Sequence, residues 1–117
     1  MSEPVLDEAV IDGLRQLTPP GEPDVLAEVL QLFLQDVPRR IATLRAAWTH
    51  GDAAEVHKTA HSLKGSAGNV GATALHAVCR QLDEKGRVGD LSGTEPLIEA
   101  LDREYARVDD AIQRLLA

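Results

Sequence analysis

The chain has one cysteine, Cys79, and only three aromatic residues, Phe33, Trp48 and Tyr105. A lone cysteine forms no internal disulfide, which fits a reducing compartment. With so few rings, the core has to be built from Leu, Val, Ile and Ala, a set that suits helices better than strands. Basic residues are scarce as well: 12 Lys and Arg against 19 Asp and Glu leave a net charge of −7. Nucleic acid and anionic membrane surfaces both call for a basic face, so neither is an expected partner. No apolar run approaches the ~18 residues of a membrane span. Met1-Ser2-Glu3-Pro4 has no charged segment leading into an apolar run, so no secretory signal is read. No strand-period segment, internal repeat or low-complexity tract occurs. What remains is a cytoplasmic, all-α protein, and 117 residues suffice for one domain with one core over residues 1–117. The start at Met1 and the full set of helices favour a free protein or a well-cut domain.

Apolar residues recur at helical spacing along nearly the whole chain. Leu6, Val10, Leu14 and Leu17, with Asp7 as N-cap, predict a short helix over 7–17, which Thr18-Pro19-Pro20-Gly21 ends. Leu26, Leu30, Phe33, Val37, Ile41, Leu44 and Trp48 step by three or four through 23–50. Pro38 interrupts the hydrogen bonding there, but the apolar phase continues across it, which predicts one kinked helix and not two. His50-Gly51-Asp52 closes that helix and caps a third over 52–70. A fourth is predicted over 72–86 with Leu75, Val78, Cys79 and Leu82 inward. A loop from Gly86 to Gly93 follows, and Ser92 or Thr94 caps a last helix over 94–116. Four substantial helices with short joints predict an antiparallel up-down bundle, with the short first helix lying across one end.

The third helix carries His61-Ser62-Leu63-Lys64-Gly65-Ser66-Ala67-Gly68-Asn69-Val70-Gly71. On a wheel of about 100° per residue, Val56, Ala60, Leu63, Ala67 and Val70 fall within roughly 80° of one another and form the buried stripe. His61 lies roughly 140° from the centre of that stripe and points at solvent, sharing its outer face with His57, Gly65 and Gly68. Lys64 stands one turn from His61, at the boundary. Each outer glycine costs about 1 kcal/mol of helix propensity against alanine. Packing gains nothing from a glycine on a solvent face, so a bare backbone there points to another object approaching His61. The neighbouring lysine suggests that the object is anionic.

Other readings of the same residues are weaker. A lone histidine is most often a plain surface residue, but that leaves the two glycines beside it unexplained. His57 and His61, at i and i+4, could share a metal, with Glu55 or His76 as the only candidates for a third ligand. Gly65, Gly68 and Gly71 lack the preceding strand and the G-x-G start of a dinucleotide fingerprint. His50 and His76 read as surface residues, and Cys79 as core.

The stretch resembles the motif of the histidine-containing phosphotransfer (HPt) family, His-x-Leu-Lys-Gly-Ser/Ala-Ser/Ala-x-x-hydrophobic-Gly. It matches at His61, Leu63, Lys64, Gly65, Ser66, Ala67, Val70 and Gly71. Gly51-Asp52, Ala60, the Leu75, Cys79, Leu82 pattern and Phe33-Leu34-x-x-x-Pro38 extend the likeness over nearly the whole chain. The resemblance implies a four-helix bundle and a phosphorelay intermediate. His61 would accept a phosphoryl group from a receiver aspartyl phosphate and pass it to another receiver aspartate. Lys64 would stabilise the phosphoryl group and Gly65 would give access. Gly65, Gly68, His57 and Ala60 would form the docking patch, with flanking residues near Phe33, Leu34 and Pro38. Implied partners are response-regulator receiver domains and a hybrid sensor histidine kinase, met by a monomer. No cofactor is expected on this chain; Mg²⁺ belongs to the receiver. No ATP-binding motif is present, so no autonomous kinase activity is expected. The alternative is a docking module that binds a receiver or kinase without carrying phosphate. One departure stands out: where several members have a glutamine 22 residues after the histidine, this chain has Asp83. An ionised carboxylate cannot donate to a phosphate. It could still accept from the ring Nδ1–H, or be a plain surface charge, and Asp83 is left out of the expected site.

Overall fold

The computed structural model describes residues 4–117 and holds five α-helices: α1 (Glu8–Arg15), α2 (Val25–Thr49), α3 (Ala53–Asn69), α4 (Thr73–Val88) and α5 (Glu95–Leu116). Residues 1–3, part of the stretch read as lacking a secretory signal, lie outside the described part. The helix starts are set chemically. Asp7, Asp24 and Asp52 each accept a hydrogen bond from a backbone N–H of the first turn, at Ala9, Leu26 and Glu55 respectively. The last of these closes the Gly51 turn, whose φ of 70° suits glycine.

Helices α2 to α5 form a bundle, and the chain as a whole is elongated, 49 × 31 × 21 Å. The helices α3 and α4 make its most extensive packing. They are joined by residues 70–72, with Gly71 at φ 72°. The core is aliphatic. Leu30, Leu44, Val56, Ala60, Ala67, Cys79, Leu82, Leu101 and Ile112 have no exposed surface at all. Burying a leucine or isoleucine this fully contributes ~1.5–3 kcal/mol. Phe33 stacks on Tyr105, with ring centroids 6.3 Å apart. The helix α1 crosses the end where α3 turns into α4. The Asp7 N–H donates to the Gly71 carbonyl at 2.8 Å, and a side chain at residue 71 would meet Asp7 and Val10 at about 3.0 Å.

Helix α2 passes through Pro38 unbroken. The proline is exposed, so the lost donor falls on the outer side of the helix. The structure departs from the periodicity in three places. The first helix stops at Arg15, so Leu17 lies beyond it and is 62% exposed. Leu115, expected inward, is also exposed at the end of α5. Thr94 does begin α5, but its hydroxyl does not cap the helix. It donates to the Leu91 carbonyl and accepts from Trp48 Nε1 at 2.8 Å, tying the 89–94 loop to the end of α2.

The fourth helix runs two residues past its expected end and stops at Gly89, whose φ of 79° makes the left-handed terminus. Gly86 therefore lies inside α4 and is buried. A Cβ there would stand 2.6 Å from the His57 nitrogen and 2.8 Å from the Ala53 carbonyl oxygen. At this point α4 rides directly on the backbone of α3, one turn from Asp83 and below His57.

Candidate functional site

The 3.6-residue repeat of α3 puts His57, His61 and Lys64 along one flank, and the close approach at Gly86 brings Asp83 of α4 against all three. Asp83 Oδ1 accepts from His57 Nδ1 at 2.5 Å. Its other oxygen, Oδ2, accepts from His61 Nδ1 at 3.1 Å and from Lys64 Nζ at 3.3 Å. The carboxylate is almost buried, with 11% of its side chain exposed, whereas the His61 side chain is 65% exposed. The two imidazoles are 6.2 Å apart, centroid to centroid.

Burial pushes the Asp83 carboxyl up, but hydrogen bonds from His61, Lys64 and His57 outweigh it and hold the group below its ordinary value. Asp83 is therefore ionised at neutral pH and can only accept. It follows that Nδ1 of His61 carries the proton it shows to Asp83, and a neutral His61 has its lone pair on Nε2. That nitrogen has no hydrogen-bond partner among the described residues, on a side chain that is largely exposed.

Asp83 is the member of this cluster that the sequence analysis left out of the expected site, and of the two roles left open for it the structure shows the first, accepting from the ring Nδ1–H of His61. An ionised acid cannot donate to a phosphate, but here it serves the histidine that would carry one. Part of the signal is present in the pattern: Asp83 follows Leu82 at the edge of the inward stripe of α4, which turns it from water without naming the helix it meets.

The other expected site residues separate. Gly65 lies one turn beyond His61, is exposed, and an added Cβ there would meet nothing within 4 Å. Gly68 is exposed too, but farther along, where the His76 ring comes within 3.5 Å of where a Cβ would sit. His57 sits beside His61 and is engaged by Asp83. Ala60 has no exposed surface and cannot belong to a docking patch. It falls in the dry stripe with Val56, Leu63 and Ala67, and its methyl packs in the core. Phe33 likewise faces inward, at 5% exposure.

The exposed large apolar side chain on α2 is Leu32, at 63%. It lines a shallow groove between α2 and α3 with Gln35, Arg39, Ser66 and Asn69. Arg40 links the two helices, bonding Asp36 Oδ2 at 2.8 Å and the Ser62 hydroxyl next to His61. Among the described residues no group of three His, Cys, Asp or Glu side chains is arranged to hold a metal ion. Glu55, one candidate ligand, accepts instead from Thr59.

Comparison with known proteins identifies the family and the fold. A model of the Hpt domain matches residues 28–114. Histidine-containing phosphotransfer proteins 2 and 5 of Arabidopsis thaliana are each 32% identical, over 86% and 87% of this chain. The chain spans about two thirds of their length, 66% and 67%. The crystal structure of histidine-containing phosphotransfer protein B from Pseudomonas aeruginosa superposes with a TM-score of 0.88 at 35% identity, covering 97% of this chain and 95% of that one. The HPT domain of a sensor hybrid histidine kinase from Shewanella shares the fold, with a TM-score of 0.77 at 19% identity over 96% and 93% of the two chains. The helical bundle, the motif on α3 and these matches place the chain in the Hpt domain family.

Proposed function

We propose that this protein is a phosphorelay intermediate of two-component signalling, with His61 as the residue that carries the phosphoryl group. The observation that supports it most is the state of His61: exposed on a rigid helix, with Nδ1–H tied down to Asp83 and the nucleophilic lone pair left on Nε2. In the transfer, the Nε2 lone pair attacks phosphorus of an aspartyl phosphate on a receiver domain. The phosphorus–oxygen bond to the receiver carboxylate breaks, and its electron pair stays on that carboxylate. The Nδ1 proton does not move, and the ring acquires positive charge beside Asp83. The reverse step on a second receiver passes the group on.

Such a transfer depends on positioning and charge stabilisation more than on covalent help. Lys64 is placed to stabilise charge, because it can turn its ammonium from Asp83 Oδ2 to a phosphoryl oxygen within the same turn of helix. Gly65 keeps that face low enough for a receiver to close over it. Mg²⁺ would be held by the carboxylates of the receiver. The partners are receiver domains, including that of a hybrid histidine kinase, and the protein works as a monomer in the cytoplasm. Among the described residues no helix is long and apolar enough to cross a membrane.

The test is incubation with a phosphorylated receiver and Mg²⁺. The wild type is expected to gain an acid-labile, base-stable phosphate, and His61→Gln to gain none. Lys64→Ala is expected to fold normally and to transfer about a hundred- to a thousandfold more slowly, the scale of losing one charge-stabilising donor. Undiminished labelling of His61→Gln would overturn the assignment.

A further inference from the structure

We infer that His57 is a positioning residue for the phosphotransfer: by holding one oxygen of Asp83 it aims the other at His61 and fixes the tautomer of the acceptor ring. The inference rests on reading His61 as the acceptor. It gives a role in the reaction to a second histidine that the phosphoryl group never touches.

A carboxylate on a short side chain has a broad, two-fold torsion about its last bond. Left alone with Lys64 and His61, Asp83 could turn either oxygen to the ammonium and loosen its hold on the ring. His57 removes that freedom. Its Nδ1 lies 2.5 Å from Oδ1 and 3.4 Å from the Asp83 backbone carbonyl, so it grips both ends of the residue. The grip does not depend on its charge, because the Nδ1–H tautomer and the imidazolium both donate there. Nor can His57 drift, since the Gly86 contact seats its backbone nitrogen and Cα directly against α4. The other charged group of α4 near it, Glu84, is occupied by Arg87.

The tautomer matters for rate. A neutral histidine side chain in water prefers its proton on Nε2, which leaves no lone pair on the nitrogen facing a donor. Asp83 reverses that preference at His61 only while its Oδ2 stays aimed. His57 and His61 are four residues apart on α3, and Asp83 spans the two rings with one oxygen for each.

The test pairs a spectroscopic readout with rescue. Nitrogen-15 spectra of the imidazoles of the wild type at neutral pH are expected to show neutral His61 as the Nδ1–H tautomer. In His57→Leu the ring is expected to become a mixture with Nε2–H, and phosphotransfer from a phosphorylated receiver to slow by about tenfold, the order of a modest misplacement. His57→Asn, whose side-chain amide nitrogen sits close to where Nδ1 does, is expected to restore both. A tautomer unchanged in His57→Leu, or a loss that His57→Asn does not repair, overturns the inference. The spectra need no phosphate, so failure of this role and failure of His61 as acceptor are read separately: the second shows only in the labelling of His61→Gln.

Discussion

Two glycines inside the helices of the site, Gly86 and Gly65, should respond to alanine in opposite directions. Alanine gains about 1 kcal/mol of helix propensity over glycine at either position. At Gly86 the new Cβ would stand 2.6 Å from the His57 nitrogen, about 0.8 Å short of the 3.4 Å where ordinary contact begins. Its neighbours are the backbone of α3 and cannot rotate away, so α3 and α4 must part. Overpacking of this kind costs about 1–3 kcal/mol, and backbone neighbours put it at the upper end. Less the propensity gain, Gly86→Ala should lose about 2 kcal/mol, or ~8 °C in Tm for a domain of this size. At Gly65 the methyl would meet nothing within 4 Å, so Gly65→Ala should gain up to about 1 kcal/mol. Thermal unfolding followed by helical circular dichroism measures both. Phosphotransfer should fall in both variants, for different reasons: Asp83 recedes with α4 in Gly86→Ala, and the approach to His61 narrows in Gly65→Ala. A Gly86→Ala protein that melts at or above the wild type would refute the claim that this glycine sets the spacing of α3 and α4.

Two further outcomes follow from the surroundings of Asp83 and Cys79. The Asp83 carboxyl lies below its ordinary value of 3.8, so its contribution to stability is complete above that value and is lost as pH falls through the lower, folded one. Asp83→Asn should therefore melt below the wild type at pH 7, and the two should converge as the solution is acidified below about pH 4; parallel curves would contradict it. Burial pushes the Cys79 thiol up to about 12, and its side chain has no exposed surface. Alkylation by iodoacetamide at pH 8 should therefore track global unfolding in a denaturant series, and rapid labelling of the native protein would count against it.

The bundle was legible because its information is periodic. Leu26, Leu30, Phe33, Val37, Ile41 and Leu44 repeat every three or four residues, and each is buried. The exposed position of His61 was legible for the complementary reason, standing opposite the stripe of its own helix. Contacts between helices were not legible. The wheel of α3 cannot know that Asp83 faces it, and nothing local marks Gly86 as a close approach instead of a breaker. Leu32 escapes notice because the phase of α2 assigns it no inward role, and an exposed leucine leaves no periodic trace. Ala60 shows the reverse error: proximity to His61 in the chain suggests the surface, while its place in the stripe decides for the core.

The joint at Gly71 has a consequence for the order in which the protein assembles. His57, His61, Lys64 and Asp83 all belong to the hairpin made by α3 and α4, whose connection is residues 70–72 alone. Closing so short a loop costs little chain entropy, and pairings near in sequence are the fast ones to form. The helices α1 and α5 join from outside this unit. The charged cluster should therefore come together with the earliest tertiary contacts of the chain and outlast the fraying of either terminus. The same hairpin would then be both the kinetic seed of the fold and the carrier of its chemistry.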